Sequence, residues 1–241
     1  SNELDSRPSE HGGESVLRAF KLTLRAGGWI LKTPFALVII LGGLMFDNCI
    51  RMIITLGSQY YRLISLPEAS FGLIGSGFAL LGLIIPRMAH KMVNHKAPSF
   101  NLGVMTVVSM TGLIGMTFFL PIIGVFPAML LSAVMYMGRF FESHYLNRIT
   151  ASHQRATVLS FKGLSFNLAY GLIGLLYSML LAFLRPQVAA AHLDLYGLSL
   201  ENEVFKASLN WFPWYFLFTM AVFIVIARWQ LRNTQEHKAS G

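Results

Sequence analysis

The stretch 34–58, PFALVIILGGLMFDNCIRMIITLGS, decides the class of this chain. It is apolar along almost its whole length, and its only charged residues are Asp47 and Arg51, four apart near its middle. A bilayer's hydrocarbon core, about 30 Å thick, takes roughly 20 residues of α-helix to cross, and only a helix or closed barrel satisfies its own backbone there. The stretch is long enough. Five more runs of similar character follow at 68–88, 99–120, 121–144, 156–184 and 209–228.

Composition points the same way. Hydrophobic residues make up 54% of the 241 and charged residues 12%, against about 25% charged in a typical soluble domain. The net charge of +8 is explained by position, without a nucleic-acid partner. With the first span running outward, the segments on the inner side hold Arg7, Arg18, Lys21, Arg25, Lys32, Arg87, Lys91, Lys96, Arg148, Arg155, Arg228, Arg232 and Lys238. The outer segments hold only Arg62, Arg185 and Lys206, while Arg51, Arg139 and Lys162 lie inside spans. The positive-inside rule then places both termini in the cytoplasm. The expected location is a plasma membrane, of the bacterial inner type.

The expected organisation is a solvated arm at 1–13, a basic amphipathic helix at 14–33, a six-helix bundle at 34–230 and a polar cytoplasmic tail at 231–241. In the amphipathic stretch Val16, Leu17, Phe20 and Leu24 oppose Arg18, Lys21 and Arg25, a pattern that suits the headgroup boundary. Cys49, the single cysteine, excludes an intrachain disulfide. Gly72, Gly75, Ser76, Gly77 and Ala79 are small residues at helical spacing and are expected to let helices approach. Pro86 is expected to mark a bend or helix end.

Polar residues inside the spans fall in stripes. Asp47, Asn48, Arg51, Thr55 and Ser58 share a helix face in the first span; Ser132, Tyr136, Arg139 and Ser143 do so in the fourth, beside Glu142. Ser160, Gly163, Asn167, Tyr170, Gly174 and Ser178 form a stripe in the fifth. A charge at mid-bilayer costs about 2.5–3.5 kcal/mol on insertion scales, so Asp47 has to face protein or water. The economical account pairs Asp47 with Arg51 and Arg139 with Glu142. That account is incomplete, because apolar replacements would serve stability as well, so the stripes favour a solute or ion path. No metalloprotease, serine-hydrolase or phosphate-loop signature is present, and the reading is of a chain that is not an enzyme and takes no cofactor.

At this point the residues resemble the major facilitator superfamily of secondary transporters, specifically its C-terminal six-helix half. Gly82-Leu-Ile-Ile-Pro86-Arg87-Met-Ala89-His90-Lys91 is similar to a degenerate copy of the Gly-x-x-x-Asp-Arg-x-Gly-Arg-Lys motif in that family's cytoplasmic loop. Gly82, Arg87 and Lys91 match, while Pro86 and Ala89 depart from it. The segment from Arg155 to Phe161 also resembles the family's equivalent connection, and the one from Trp29 to Arg62, with Asp47 and Arg51, resembles the way such halves begin.

The resemblance implies one wall of a twelve-helix transporter that works by alternating access. A missing N-terminal six-helix half, a small-molecule solute, the lipid bilayer and a coupling proton or sodium ion are the implied partners, and the chain is expected to be a fragment. Asp47 is expected as the titratable group, Arg51 and Arg139 as its partners or as anion contacts, and Asn48, Asn167 and Tyr170 as solute contacts, with Tyr136 and Glu142 in the same site. Gly82, Arg87, Lys91 and Arg155 belong to the loop motif. The alternative is a six-span scaffold or assembly subunit without transport of its own.

Overall fold

The computed structural model describes Lys21, Arg25 and residues 27–239, with 233–239 by backbone alone. The expected arm 1–13 and most of the amphipathic stretch 14–33 lie outside the described residues. Of that stretch, Lys21 and Arg25 are helical and exposed, and 27–32 is helical. The main helices are α1 (Pro34–Thr55), α2 (Gly57–Leu63), α3 (Phe71–His95), α4 (Pro98–Met116), α5 (Val125–Ile149), α6 (Arg155–Ala191), α7 (Gly197–Leu209) and α8 (Trp211–Ala239). Among the described residues six segments are long and apolar enough to cross a membrane, so the chain is an all-α membrane protein with six candidate spans there.

Several boundaries differ from the sequence expectation, and proline accounts for two of them. Pro86 lies inside α3 and Pro186 inside α6, because neighbouring groups and local adjustment re-satisfy freed carbonyls in membrane helices. Gly82, Arg87 and Lys91 are therefore residues of α3; the loop itself is only the short link between α3 and α4. Helix α6 continues past Arg185 to Ala191, and α8 runs to Ala239 through most of the expected tail.

Helix α1 is the hub. It packs on α5, α6 and α8, while α3 and α4 lie against α5, α4 also touches α8, and α7 ties the end of α6 to the start of α8. Adjacent glycines make this possible, since residues one apart point about 100° apart around a helix of 3.6 residues per turn. A Cβ on Gly42 would sit 3.2 Å from the Phe223 ring of α8, and one on Gly43 would meet Glu142 of α5 and Phe166 of α6. Phe46 and Phe216, with ring centroids 5.5 Å apart, complete the α1–α8 contact.

The small residues of α3 do not serve the packing expected of them. Among the described residues a Cβ on Gly72, Gly75 or Gly77 would meet nothing within 4 Å. Close approach occurs instead between α4 and α5, where a Cβ on Gly112 would fall 2.7 Å from Leu131 and 3.1 Å from the Pro127 carbonyl. One hydrogen bond joins the same two helices, from Asn101 Nδ2 to the Tyr145 hydroxyl at 2.8 Å.

The corner after α1 is fastened by Tyr60, fully buried, whose hydroxyl donates to the Gly124 carbonyl at 3.1 Å. Burial, and then the neighbouring Tyr61, push that hydroxyl up to about 12, so it stays protonated as a donor. Outward-facing Leu80, Leu83, Leu168, Leu172, Phe218 and Val225 are all exposed. In water such a surface would be a liability; against acyl chains it is the surface that membrane helices present.

Interhelical hydrogen bonds in membranes average about 0.6 kcal/mol, so Tyr145→Phe is expected to lower stability by about that amount. Gly112→Val is expected to cost more, because it forces the α4 and α5 backbones apart. Thermal unfolding of both variants in one detergent, compared with the parent chain, checks the ranking; a Gly112→Val effect no larger than that of Tyr145→Phe would refute the close-packing account.

Candidate functional site

Charged and polar side chains of α1, α5 and α6 meet within the membrane-spanning part of the bundle. On α1, Asp47 is 4% exposed and pairs with Arg51 at 2.6 Å. The (i, i+4) spacing puts both on one helix face. Arg51 reaches onward to α6: its Nη1 donates to Asn167 Oδ1 at 3.2 Å, and its guanidinium lies 5.1 Å from the centre of the Tyr170 ring. One turn further along α1, the Thr55 hydroxyl and the Tyr170 hydroxyl are 2.7 Å apart. Asp47 is thus closed off, while Arg51, Thr55, Asn167 and Tyr170 stay at least partly open; 24% of the Arg51 side chain is exposed.

A second ion pair lies beside the first. Glu142 of α5, 7% exposed, is bound at 2.5 Å by Lys162 of α6, whose ammonium is 5.3 Å from the Phe166 ring. This corrects the expected Arg139–Glu142 pairing. Arg139 is exposed, and although its charge also acts on Glu142, the short contact belongs to Lys162. The carboxylate has room because α1 presents Gly43 to it, and any Cβ there would overlap Glu142 Oε1. Asp47 lies close enough for its charge to act on Glu142 as well.

The other expected residues divide. Asn48 is half-buried beside Asp47, and its Oδ1, like Arg51 Nε, has no hydrogen-bond partner among the described residues. Tyr136 lies elsewhere: its ring covers Gly82 of α3, 3.0 Å from where a Cβ would stand. Arg155 opens α6 and donates from Nε to the Thr150 carbonyl at 3.3 Å. Arg87 and Lys91 are exposed on α3, away from the ion pairs. The site residue that sequence reasoning passed over is Lys162. Its signal was present, since a lysine inside a span is a functional candidate by default, but no partner for it was visible at helical spacing. Gly43 was passed over too, because a glycine's role here depends on what faces it across another helix.

Electrostatically the site is two neutral pairs in a low-dielectric region, with Arg51 sharing its donors between a carboxylate and an amide. Arg51 can release donors to an outside acceptor without leaving Asp47, because the guanidinium has five N–H groups. Among the described residues no group of His, Cys, Asp and Glu gathers as a metal site. Comparison with known proteins returned no matching family model, no matching curated protein and no matching solved structure.

Breaking a buried pair from one side leaves an uncompensated charge and costs about 3–5 kcal/mol. Lys162→Met is expected to destabilise the chain on that scale, and Glu142→Gln added to it is expected to recover most of the loss. Denaturation of the two single variants and the double variant in detergent measures the coupling; additive losses would show that the pair does not act as a unit. Gly43→Ala is expected to dislodge the Glu142 carboxylate and to lose stability comparably, with little further loss when combined with Lys162→Met.

Proposed function

We propose that this chain is one six-helix half of a secondary active transporter, with the charged residues of α1, α5 and α6 on the wall of a solute path. The observation that carries this reading is the linked set Asp47–Arg51–Asn167 beside Glu142–Lys162, set inside the spans and partly open on one side. Apolar residues would hold three helices together at least as well as two buried ion pairs. Ionisable groups retained in membrane helices mark ion and solute pathways.

The resemblance of Gly82, Arg87 and Lys91, and of the segments around Asp47 and Arg155, to the C-terminal half of a major facilitator supports the same reading. On it, a second six-helix half closes over Arg51, Thr55, Asn167 and Tyr170, and alternating access comes from rocking of one half against the other. Asp47 is the titratable group. A proton or cation arriving at Asp47 weakens its hold on Arg51, whose freed N–H groups then meet an acceptor on the solute, while Asn167 and Tyr170 supply neutral hydrogen bonds. Glu142–Lys162 holds α5 to α6 behind that surface. The end of the bundle bearing Arg87, Lys91, Lys96, Arg148, Arg155 and Arg228 faces the cytoplasm of a bacterial inner or other plasma membrane, as the positive-inside rule directs.

The test is reconstitution of the chain, with whatever membrane partner co-purifies, into vesicles holding a trapped pH-sensitive dye. Solutes offered from outside are expected to move protons with them, or to be driven by a sodium gradient, and Asp47→Asn is expected to abolish the coupling while insertion and folding persist. Coupled flux unchanged in Asp47→Asn removes that residue from the mechanism. Absence of flux in every pairing supports the scaffold reading instead.

A further inference from the structure

Near the α7 end of the bundle, α6 and α8 pack on each other only sparsely, although α7 contacts both. Between them is a cleft of about 360 Å³ walled by Ile173, Leu176, Tyr177 and Leu180 on α6 and by aromatic residues of α8 that include Trp214 and Phe218. The Tyr177 hydroxyl is already engaged by Ser208 Oγ of α7 at 3.0 Å. The walls offer mainly hydrocarbon and ring faces, and none of them carries a charge of the two ion pairs, although Ile173 lies only one turn beyond Tyr170 on α6.

Depth in the membrane can be read from the tryptophans. Trp211 and Trp214 begin α8, and Trp229 lies toward its other end, all three exposed. At 1.5 Å per residue, Trp211 and Trp229 are about 27 Å apart along the axis, which matches a hydrocarbon core and puts each at an interface where Trp collects. The cleft begins at the Trp211 level and extends toward the bilayer centre. It is continuous with the outward apolar surface of Leu172, Leu175 and Met179 on α6 and Leu217 and Val222 on α8, the surface that the bilayer covers.

We propose that this cleft is a lipid site that holds one acyl chain of a glycerophospholipid from the leaflet on the α7 side. An empty groove would leave its walls without dispersion partners, and the medium around it is itself made of chains. Hydrogen-bonding groups on the walls are confined to the hydroxyls of Tyr177 and Tyr215 and the indoles of Trp211 and Trp214, with the Tyr177 hydroxyl already taken by Ser208, so water and polar solutes find few partners there. The site is independent of the transport reading, because none of its walls belongs to the charged set.

Trp214 and Trp229 provide a matched pair of reporters, one on the cleft and one at the opposite interface. Two single-tryptophan chains, one keeping Trp214 and one keeping Trp229 with the other three replaced by Phe, are reconstituted in phosphatidylcholine brominated in the upper part of its chains. They are then diluted into excess unbrominated detergent. Both are expected to be quenched in the bilayer. After dilution Trp229 is expected to recover its fluorescence while Trp214 stays quenched by the retained chain, and Leu176→Phe with Leu180→Phe, which fills the cleft, is expected to let Trp214 recover too.

Recovery of Trp214 to the same extent as Trp229 in the unfilled chain overturns the proposal. So does a Trp214 that is never quenched in the bilayer, which would mean that a protein segment seals the cleft. A filled variant that misfolds is recognised by altered Trp229 quenching in the bilayer. Photolabelling of the parent chain with a diazirine-bearing phosphatidylcholine then decides: labels concentrated on the cleft walls support the site, and labels spread evenly over the apolar belt refute it.

Discussion

A charge carried into hydrocarbon has to be matched by the fold itself, and the bundle is arranged around that requirement. Asp47 sits within the central helix, where exposure to lipid would cost several kcal/mol. Its own helix supplies Arg51, and Arg51 in turn draws α6 inward through Asn167 and Tyr170. Glu142 imposes the same demand on α5, and Lys162 answers it from α6. Polar contacts between α1 and α5 on one side and α6 on the other thus follow from where the charges lie.

Apolar packing supplies the rest of the bundle. Helices in a bilayer associate by close contact, since lipid tails compete equally well for apolar side chains. That is why adjacent Gly42 and Gly43 matter: they admit Phe223 from one side and Glu142 with Phe166 from another. Gly112 does the same between α4 and α5. Where α6 and α8 lack such a contact, a cleft remains. Tight packing and polar pairing therefore meet on α1: it is close-fitted to α5 and α8, and it holds α6 both by the Gly43–Phe166 contact and by hydrogen bonds, while an ion pair to α5 and the contacts of α7 secure α6 further.

Legibility in the sequence followed the range of each interaction. The Asp47–Arg51 pair was readable because (i, i+4) neighbours on a helix meet regardless of what surrounds them. The companion (i, i+3) rule, applied to Arg139 and Glu142, gave the wrong partner, because Glu142 turns toward α6 and Arg139 outward. The loop motif was placed by its resemblance to a family's connection, with Pro86 read as a bend or helix end, yet a membrane helix tolerates proline where a soluble one breaks and α3 runs on to His95. Small residues in α3 looked like a packing face and proved open, since spacing on one helix carries no information about what lies opposite.

What the sequence determined alone is the membrane class, the six spans and the presence of ionisable groups within them, because hydropathy over about 20 residues and the cost of buried charge are properties of the chain and the solvent. Tertiary structure alone decided that Lys162 neutralises Glu142, that Gly43 makes room for the carboxylate, and that a cleft opens between α6 and α8. Each of these depends on how helices are rotated against one another, and that rotation is fixed by packing between residues far apart in the chain.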